Sequence, residues 1–306
     1  MEVKGEVKGR VWYSPVSGKY YSGELLEGQI VDVSDISAIK AQVVLDEVLG
    51  LARPQYKLRN VCRVIRMDAL TARIDIATTL TGTEKVPELT EAPVNAQAYT
   101  AVSFDLWKNV VHVVVSDEAR KKAAHDIFRL QVEDAARELA RMENKQIASE
   151  LELATAITGS DWGATSGGTS TNNPFTDILN AITVIREKGY EPDFMALSPY
   201  AWSKFITNTW VRDLVHAGLA KLTATGGEFG LPGYPTINVI VDAALSNNIA
   251  VIGSKAAPAC VLGEGPTEAA HYRNEIAGYD AFIIRQWLQP KLVVNDAIRK
   301  ITGIAT

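Results

Sequence analysis

The chain has 306 residues, of which 47% are hydrophobic, 22% charged and 8% aromatic, and its net charge is −5. These ordinary globular values exclude a disordered, collagen-like or coiled-coil chain. The acidic balance argues against a protein that grips nucleic acid by neutralising many phosphates.

The first ten residues alternate charge with Val and Gly. They carry no secretory pattern, and no run of about 18 apolar residues occurs anywhere. The expectation is a soluble protein made in the cytoplasm, without membrane contact. Residues 1–34 read as irregular structure and short strands. Val11-Trp12-Tyr13 and Lys19-Tyr20-Tyr21 flank a Ser-Pro-Val-Ser-Gly turn, which predicts a small hairpin. A helix follows, capped by Ser34 or Ser37, with Ile39, Val43, Val44, Glu47 and Val48 at helical spacing and Gly50 as its stop. Cys62, and later Cys260, stand outside any CxxC or Cys/His cluster and read as buried small hydrophobes.

Residues 60–107 hold two alternating segments, Arg73–Ile76 and Ala98–Leu106. Between them, roughly 78–97 is polar, with Gly82, Pro87, Pro93 and three glutamates. The pattern predicts a long two-stranded arm. A lone hairpin is marginal in water, so such an arm makes sense beneath a neighbouring subunit; the alternative is a hairpin lying on its own domain. Asn109–Val115 predicts a buried strand. Ser116 then caps a helix running uninterrupted over 117–158, about 60 Å at 1.5 Å per residue. Phe128, Val132, Ala135, Leu139, Met142, Ile147, Leu151 and Ala154 form its apolar stripe, and Gly159 ends it. Its basic face, including Arg129, Arg137 and Arg141, reads as solvated.

Residues 160–173 predict a flexible linker by composition. Pro174 opens a helix with Ile178, Ile182 and Ile185 on one face and Gly189 at its end. Strands at Phe194–Leu197, Ile237–Val241 and Ala250–Ile252 and helices at Pro199–Ile206 and Val211–Leu222 make an α/β module. Two further strands, Ala281–Trp287 and Lys291–Val294, are separated by Pro290.

Catalytic constellations are absent by motif. His112, His125, His216 and His271 have no partner at metal-ligand spacing, and His112, inside an apolar strand, reads as a core histidine. No phosphate-binding, nucleophile-elbow or zinc-protease motif occurs. Gly226-Gly227 lacks the lysine of a phosphate loop and reads as a turn. The reading is a non-enzyme with no catalytic residue, no cofactor and no metal.

The order of the pieces resembles the capsid fold of tailed phages, the Hong Kong 97 type. Four stretches carry the resemblance. Val113-Val-Val-Ser-Asp-Glu-Ala119 is similar to the start of that family's spine helix. Asp193-Phe-Met-Ala-Leu-Ser-Pro-Tyr-Ala-Trp202 is similar to its first axial strand and helix. Gly233-Tyr-Pro-Thr-Ile-Asn-Val-Ile-Val-Asp242 resembles a later axial strand, and Leu292-Val-Val-Asn-Asp-Ala-Ile-Arg299 resembles the C-terminal peripheral strand.

The resemblance implies an α+β capsid fold. Its parts would be an N-terminal arm and short helix (1–59), an extended loop (60–107), a peripheral domain (108–191, completed by 266–306) and an axial domain (192–265). It implies a major capsid protein that partners with itself, as pentamers and hexamers in an icosahedral shell around double-stranded DNA. Scaffold, portal and decoration proteins would be further partners. Encapsulin shells share the fold, and Ser103-Phe-Asp-Leu-Trp107 is similar to wording in them, so a protein-filled compartment is the alternative. The contacts expected between subunits are Lys85, Glu88 and Glu91 in the arm tip, Glu228 and Phe229 in the axial module, and Trp12 and Tyr20 near the N-terminus. Some such shells crosslink a lysine to an asparagine. Lys85 is the natural candidate here, a solvated lysine is the alternative, and the crosslink is not carried over.

Overall fold

The computed structural model describes residues 11–13, 20–22, 44–52, 55–77, 99–118, 127–166, 168–218, 220–223, 226–229, 236–257 and 259–305. In chain order the first elements are β1 (Val11–Tyr13), β2 (Tyr20–Ser22), α1 (44–52) and a 3-10 turn (Leu58–Val61). Then come β3 (Arg63–Arg66), β4 (Thr71–Ala77), β5 (Tyr99–Asp105), β6 (Trp107–Ser116), α2 (Ile127–Leu151) and β7 (Ala156–Thr158). Next are β8 (Thr165–Ser166), β9 (Thr169–Ser170), α3 (Pro174–Glu187), β10 (Phe194–Leu197), α4 (Pro199–Thr207) and α5 (Thr209–His216). The remainder are β11 (Ala220–Thr223), β12 (Gly226–Phe229), β13 (Ile237–Val241), β14 (Ile249–Gly253), β15 (Cys260–Asn274), β16 (Tyr279–Leu292) and β17 (Ile298–Thr302).

Two sheets organise these elements. The larger has the order β11-β12-β13-β10-β14-β17-β7. Helices α3 and α4 cover one face through a core of Ile178, Ile182, Ile185, Met195, Trp202 and Phe205. The last turns of α2 and the start of β15 cover the other face through Ile147, Leu151, Phe194, Val251 and Leu262. Local chemistry sets α3: the Asn173 side chain accepts from the Phe175 N–H at 3.0 Å, Pro174 occupies the first turn, and Gly189 leaves at φ +83°. Each fully buried isoleucine on its inner face contributes roughly 1.5–3 kcal/mol.

The smaller sheet has the order β3-β15-β16-β6. Helices α1 and α2 cover one of its faces through Val44, Val48, Val132, Ala136, Leu139, Val113 and Ile284. From its corner springs the β4–β5 hairpin, with Thr71 opposite Asp105 and Ala77 opposite Tyr99. Phe104, Met67 and Val261 form a small core at the hairpin's root. The expected hairpin near the N-terminus is present as β1 and β2, with Trp12 opposite Tyr21 and Tyr13 opposite Tyr20.

Several expectations need correction. Helix α1 runs through Gly50 to residue 52. Helix α2 stops at Leu151, short of Gly159, because 156–158 leaves to pair with β17. Residues 117–118 are helical as expected, and 119–126 lie outside the described residues. The 160–173 stretch is anchored: Trp162 is buried, and Asp177 accepts from the Ser160 N–H, the Ser160 hydroxyl and the Trp162 indole N–H at 2.7–2.9 Å. Helix α5 ends at His216, before the left-handed Gly218 (φ +74°), and residues 220–223 are strand.

Gly226-Gly227 is strand, where a Cβ would lie 2.5 Å from the Val239 carbonyl oxygen and 2.2 Å from that of Lys221. Pro290 lies inside one continuous strand, β16, beyond the point where β6 stops pairing, so its missing N–H is tolerated. Strand β17 joins the larger sheet between β14 and β7, not the strand pair that precedes it.

Candidate functional site

Strand β6 alternates. Asn109, Val113 and Val115 point into the helix-covered core, whereas Val110 (42% exposed) and Val114 (40%) point out with Lys108 and His112. The expected fully buried strand is therefore half-buried. Its outward side chains stand opposite those of β16: Val110 faces Arg285, His112 faces Ile283 and Val114 faces Ala281. His112 is exposed and shares a 3.0 Å hydrogen bond with the Tyr272 hydroxyl, so it is not a core histidine. Among the described residues, β6 is the sheet's edge and pairs on one side only. The result is an open, partly apolar face ending in unpaired backbone, the kind of surface that another chain covers.

At the opposite corner a polar junction holds the segment leading to the arm. Arg59 pairs with Glu143 of α2 at 3.3 Å and hydrogen-bonds Glu264 of β15. Gln286 of β16 donates to Glu143 at 3.1 Å. Asn144 accepts from the Leu58 N–H at 3.3 Å and donates to the Gln55 carbonyl at 2.9 Å and to Asp242 at 3.2 Å. Lys57 reaches the Val241 carbonyl at 3.2 Å. Residues 55–61 thus touch both sheets. Burial pushes the Glu143 carboxyl up to about 7, against the opposing pull of Arg59 and Gln286.

The arm's root is tied down nearby. The Asp105 N–H donates to Gln289 at 2.7 Å, the Leu106 N–H to the Leu70 carbonyl at 2.8 Å, and Lys291 to the Ser103 carbonyl at 2.7 Å. At that root Leu70 is exposed, and beyond it Arg73 pairs, among the described residues, with Asp75 of its own strand.

The expected contact residues separate. Glu228 is exposed on β12. Phe229 is 1% exposed, packed with Phe175 and Phe205, so its side chain belongs to the subunit's own core rather than to a neighbour. Lys85, Glu88 and Glu91 lie outside the described residues. Trp12 and Tyr20 are placed by backbone alone. Sequence reasoning missed the open face, although the Val/His/Val alternation at 110, 112 and 114 was its signal.

No group of three or more His, Cys, Asp or Glu capable of holding a metal exists among the described residues. Along the outer face of α2, Arg137 and Arg141 pair with Asp134 and Glu138, as a solvated face does. No described helix is long and apolar enough to cross a membrane.

A family profile described as phage capsid protein matches residues 113–299. No curated relative matches the sequence. The fold is similar to a structure from Gordonia phage Cozz (TM-score 0.61, 14% identity, covering 82% of this chain and 87% of that one). It is similar to the virus-like particle from Pyrococcus furiosus (0.56, 14%, 83% and 95%). It is also similar to the SrpI encapsulin of Synechococcus elongatus PCC 7942 (0.53, 12%, 82% and 88%).

Proposed function

The chain belongs to the phage capsid protein family, and from that premise we propose that it closes into an icosahedral shell around double-stranded DNA. It is a structural shell protein, not an enzyme. The observation that carries the finer reading is the pairing of a donor with an acceptor surface in one subunit. The β4–β5 arm extends from a tethered root, and Val110 and Val114 on the outer face of β6 are exposed. An arm from one subunit lying over that face of the next satisfies both. Repeated around closed symmetry, the contact makes a finite shell.

In this reading the module of residues 192–265 clusters at the five- and six-fold centres, and exposed Glu228 lies near those axes. The segment 1–34 reaches a further neighbour, with Trp12 and Tyr20 in its contact, while Lys85, Glu88 and Glu91 lie at the arm tip. Portal, scaffold and decoration proteins complete the particle, which is assembled in the host cytoplasm. DNA is enclosed without sequence-specific contact, consistent with the net charge of −5.

The same charge and the likeness to an encapsulin favour a second reading, a compartment filled with cargo protein. Negative-stain microscopy of the expressed chain tests closure, and the 260 nm absorbance of nuclease-treated particles separates DNA from protein contents. Deleting residues 80–96 is expected to leave soluble subunits or small oligomers without closed particles. Intact shells from that deletion sink the arm-over-face reading.

A further inference from the structure

Cys62 and Cys260, separated by 198 positions in sequence, meet with their sulfur atoms 3.0 Å apart. The fold brings them together for a reason that reaches beyond the two side chains. Strands β3 and β15 are parallel, with Arg63 opposite Val261. Cys62 and Cys260 each stand one residue before that pair, so they face one another across adjacent strands. Both are buried, in a cluster with Leu58, Val61, Ile147, Leu262 and Leu288. Both are free thiols. Neighbouring strands hold facing residues at a backbone separation that a disulfide spans, and the sulfur atoms need to close by only about 1 Å to reach bonding distance.

We propose that Cys62 and Cys260 are a redox site that forms an intramolecular disulfide when the protein meets an oxidising low-molecular-weight disulfide. The steps balance. One thiol gives up its proton, and its sulfur attacks the small disulfide to form a mixed disulfide, releasing one small thiol that takes up a proton. The second cysteine, likewise deprotonated, attacks the protein sulfur of the mixed disulfide and releases the second small thiol. Two protein thiols are oxidised and one small disulfide is reduced to two thiols.

The site keeps the pair reduced inside a reducing cell. The Cys260 thiol and burial both hold Cys62 well above the ordinary thiol range, so little thiolate is present to start the exchange. Oxidation therefore proceeds through local opening and accumulates in an oxidising medium. The bond would tie the segment entering the arm to the first residue of β15 and close a long loop of chain. The chemistry does not depend on the shell reading. That reading adds only the moment at which the medium changes, on release from the host.

The test uses the full wild-type chain, incubated with oxidised or with reduced glutathione, with and without a low concentration of urea to permit opening. Thiols are then counted under denaturing conditions with a maleimide mass tag, and the linkage is mapped by non-reducing peptide mass spectrometry. The expected result is two free thiols after reduction and none after oxidation, with a Cys62–Cys260 peptide within one chain. The oxidised subunit should melt roughly 5–10 °C higher. A Cys62→Ala/Cys260→Ala variant, compared only with itself, should show no redox-dependent shift. Two free thiols after oxidation with urea, or links only between chains, overturn the proposal.

Discussion

The two sheets of this subunit solve the same packing problem differently. The seven-stranded sheet is covered on both faces, so its central strand β10 is buried along its whole length. The four-stranded sheet is covered on one face by α1 and α2, and its other face and edge carry Val110 and Val114 in the open. Apolar area left in water forgoes about 25 cal/mol per Å². The first sheet therefore stabilises the subunit by itself, while the second holds apolar area in reserve for a contact.

The largest expected effect breaks the self-sufficient half. Phe205, fully buried and stacked on Trp202 with ring centroids 5.4 Å apart, anchors that core. Phe205→Ala should cost about 3–5 kcal/mol in urea unfolding of the isolated subunit. A loss below 1 kcal/mol would show that this module is not the subunit's main source of stability.

The junction between the halves comes next. The Glu143 carboxyl has its folded value raised from 4.5 to about 7. The folded state therefore holds the proton across a window in which the unfolded chain has lost it, and stability falls as pH rises from about 4.5 to 7. At about 1.4 kcal/mol per pH unit, wild type should lose on the order of 3 kcal/mol across that window relative to Glu143→Gln. Parallel pH profiles for the two proteins would refute the buried-carboxyl account of this junction.

The smallest effect on the subunit sharpens the comparison most. Val110→Ser with Val114→Ser should change subunit stability by no more than about 0.5 kcal/mol per site. The same double variant should give fewer closed particles by microscopy. A stability loss of several kcal/mol would mean the face is already covered within one chain.

Much of this was legible wherever the cause is local. Asn173, Pro174 and Gly189 punctuate α3, and the alternation at Val102, Phe104 and Leu106 marks a strand of the arm. The ends set by distant partners were not. No residue near Leu151 stops α2; the pull is the pairing of 156–158 with 300–302. Gly226 and Gly227 look like a turn until the Val239 and Lys221 carbonyls beside them are known. Phe229 was expected between subunits, yet the aromatic cluster claims it. The meeting of Cys62 with Cys260 depends on strand order, which no window of sequence contains.

The placement of β17 bears on how the protein is made. Ile298 and Ile301 enter both faces' cores, and the strand sits between β14 and β7. A ribosome delivers residues 298–302 after every other strand of that sheet. Until then, among the described residues, β14 ends that side of the sheet and β7 lacks the strand it pairs with. Completion of the two-sided core thus waits until residues 298–302 have been made, so a nascent chain that still lacks them lacks the finished module it would need to associate.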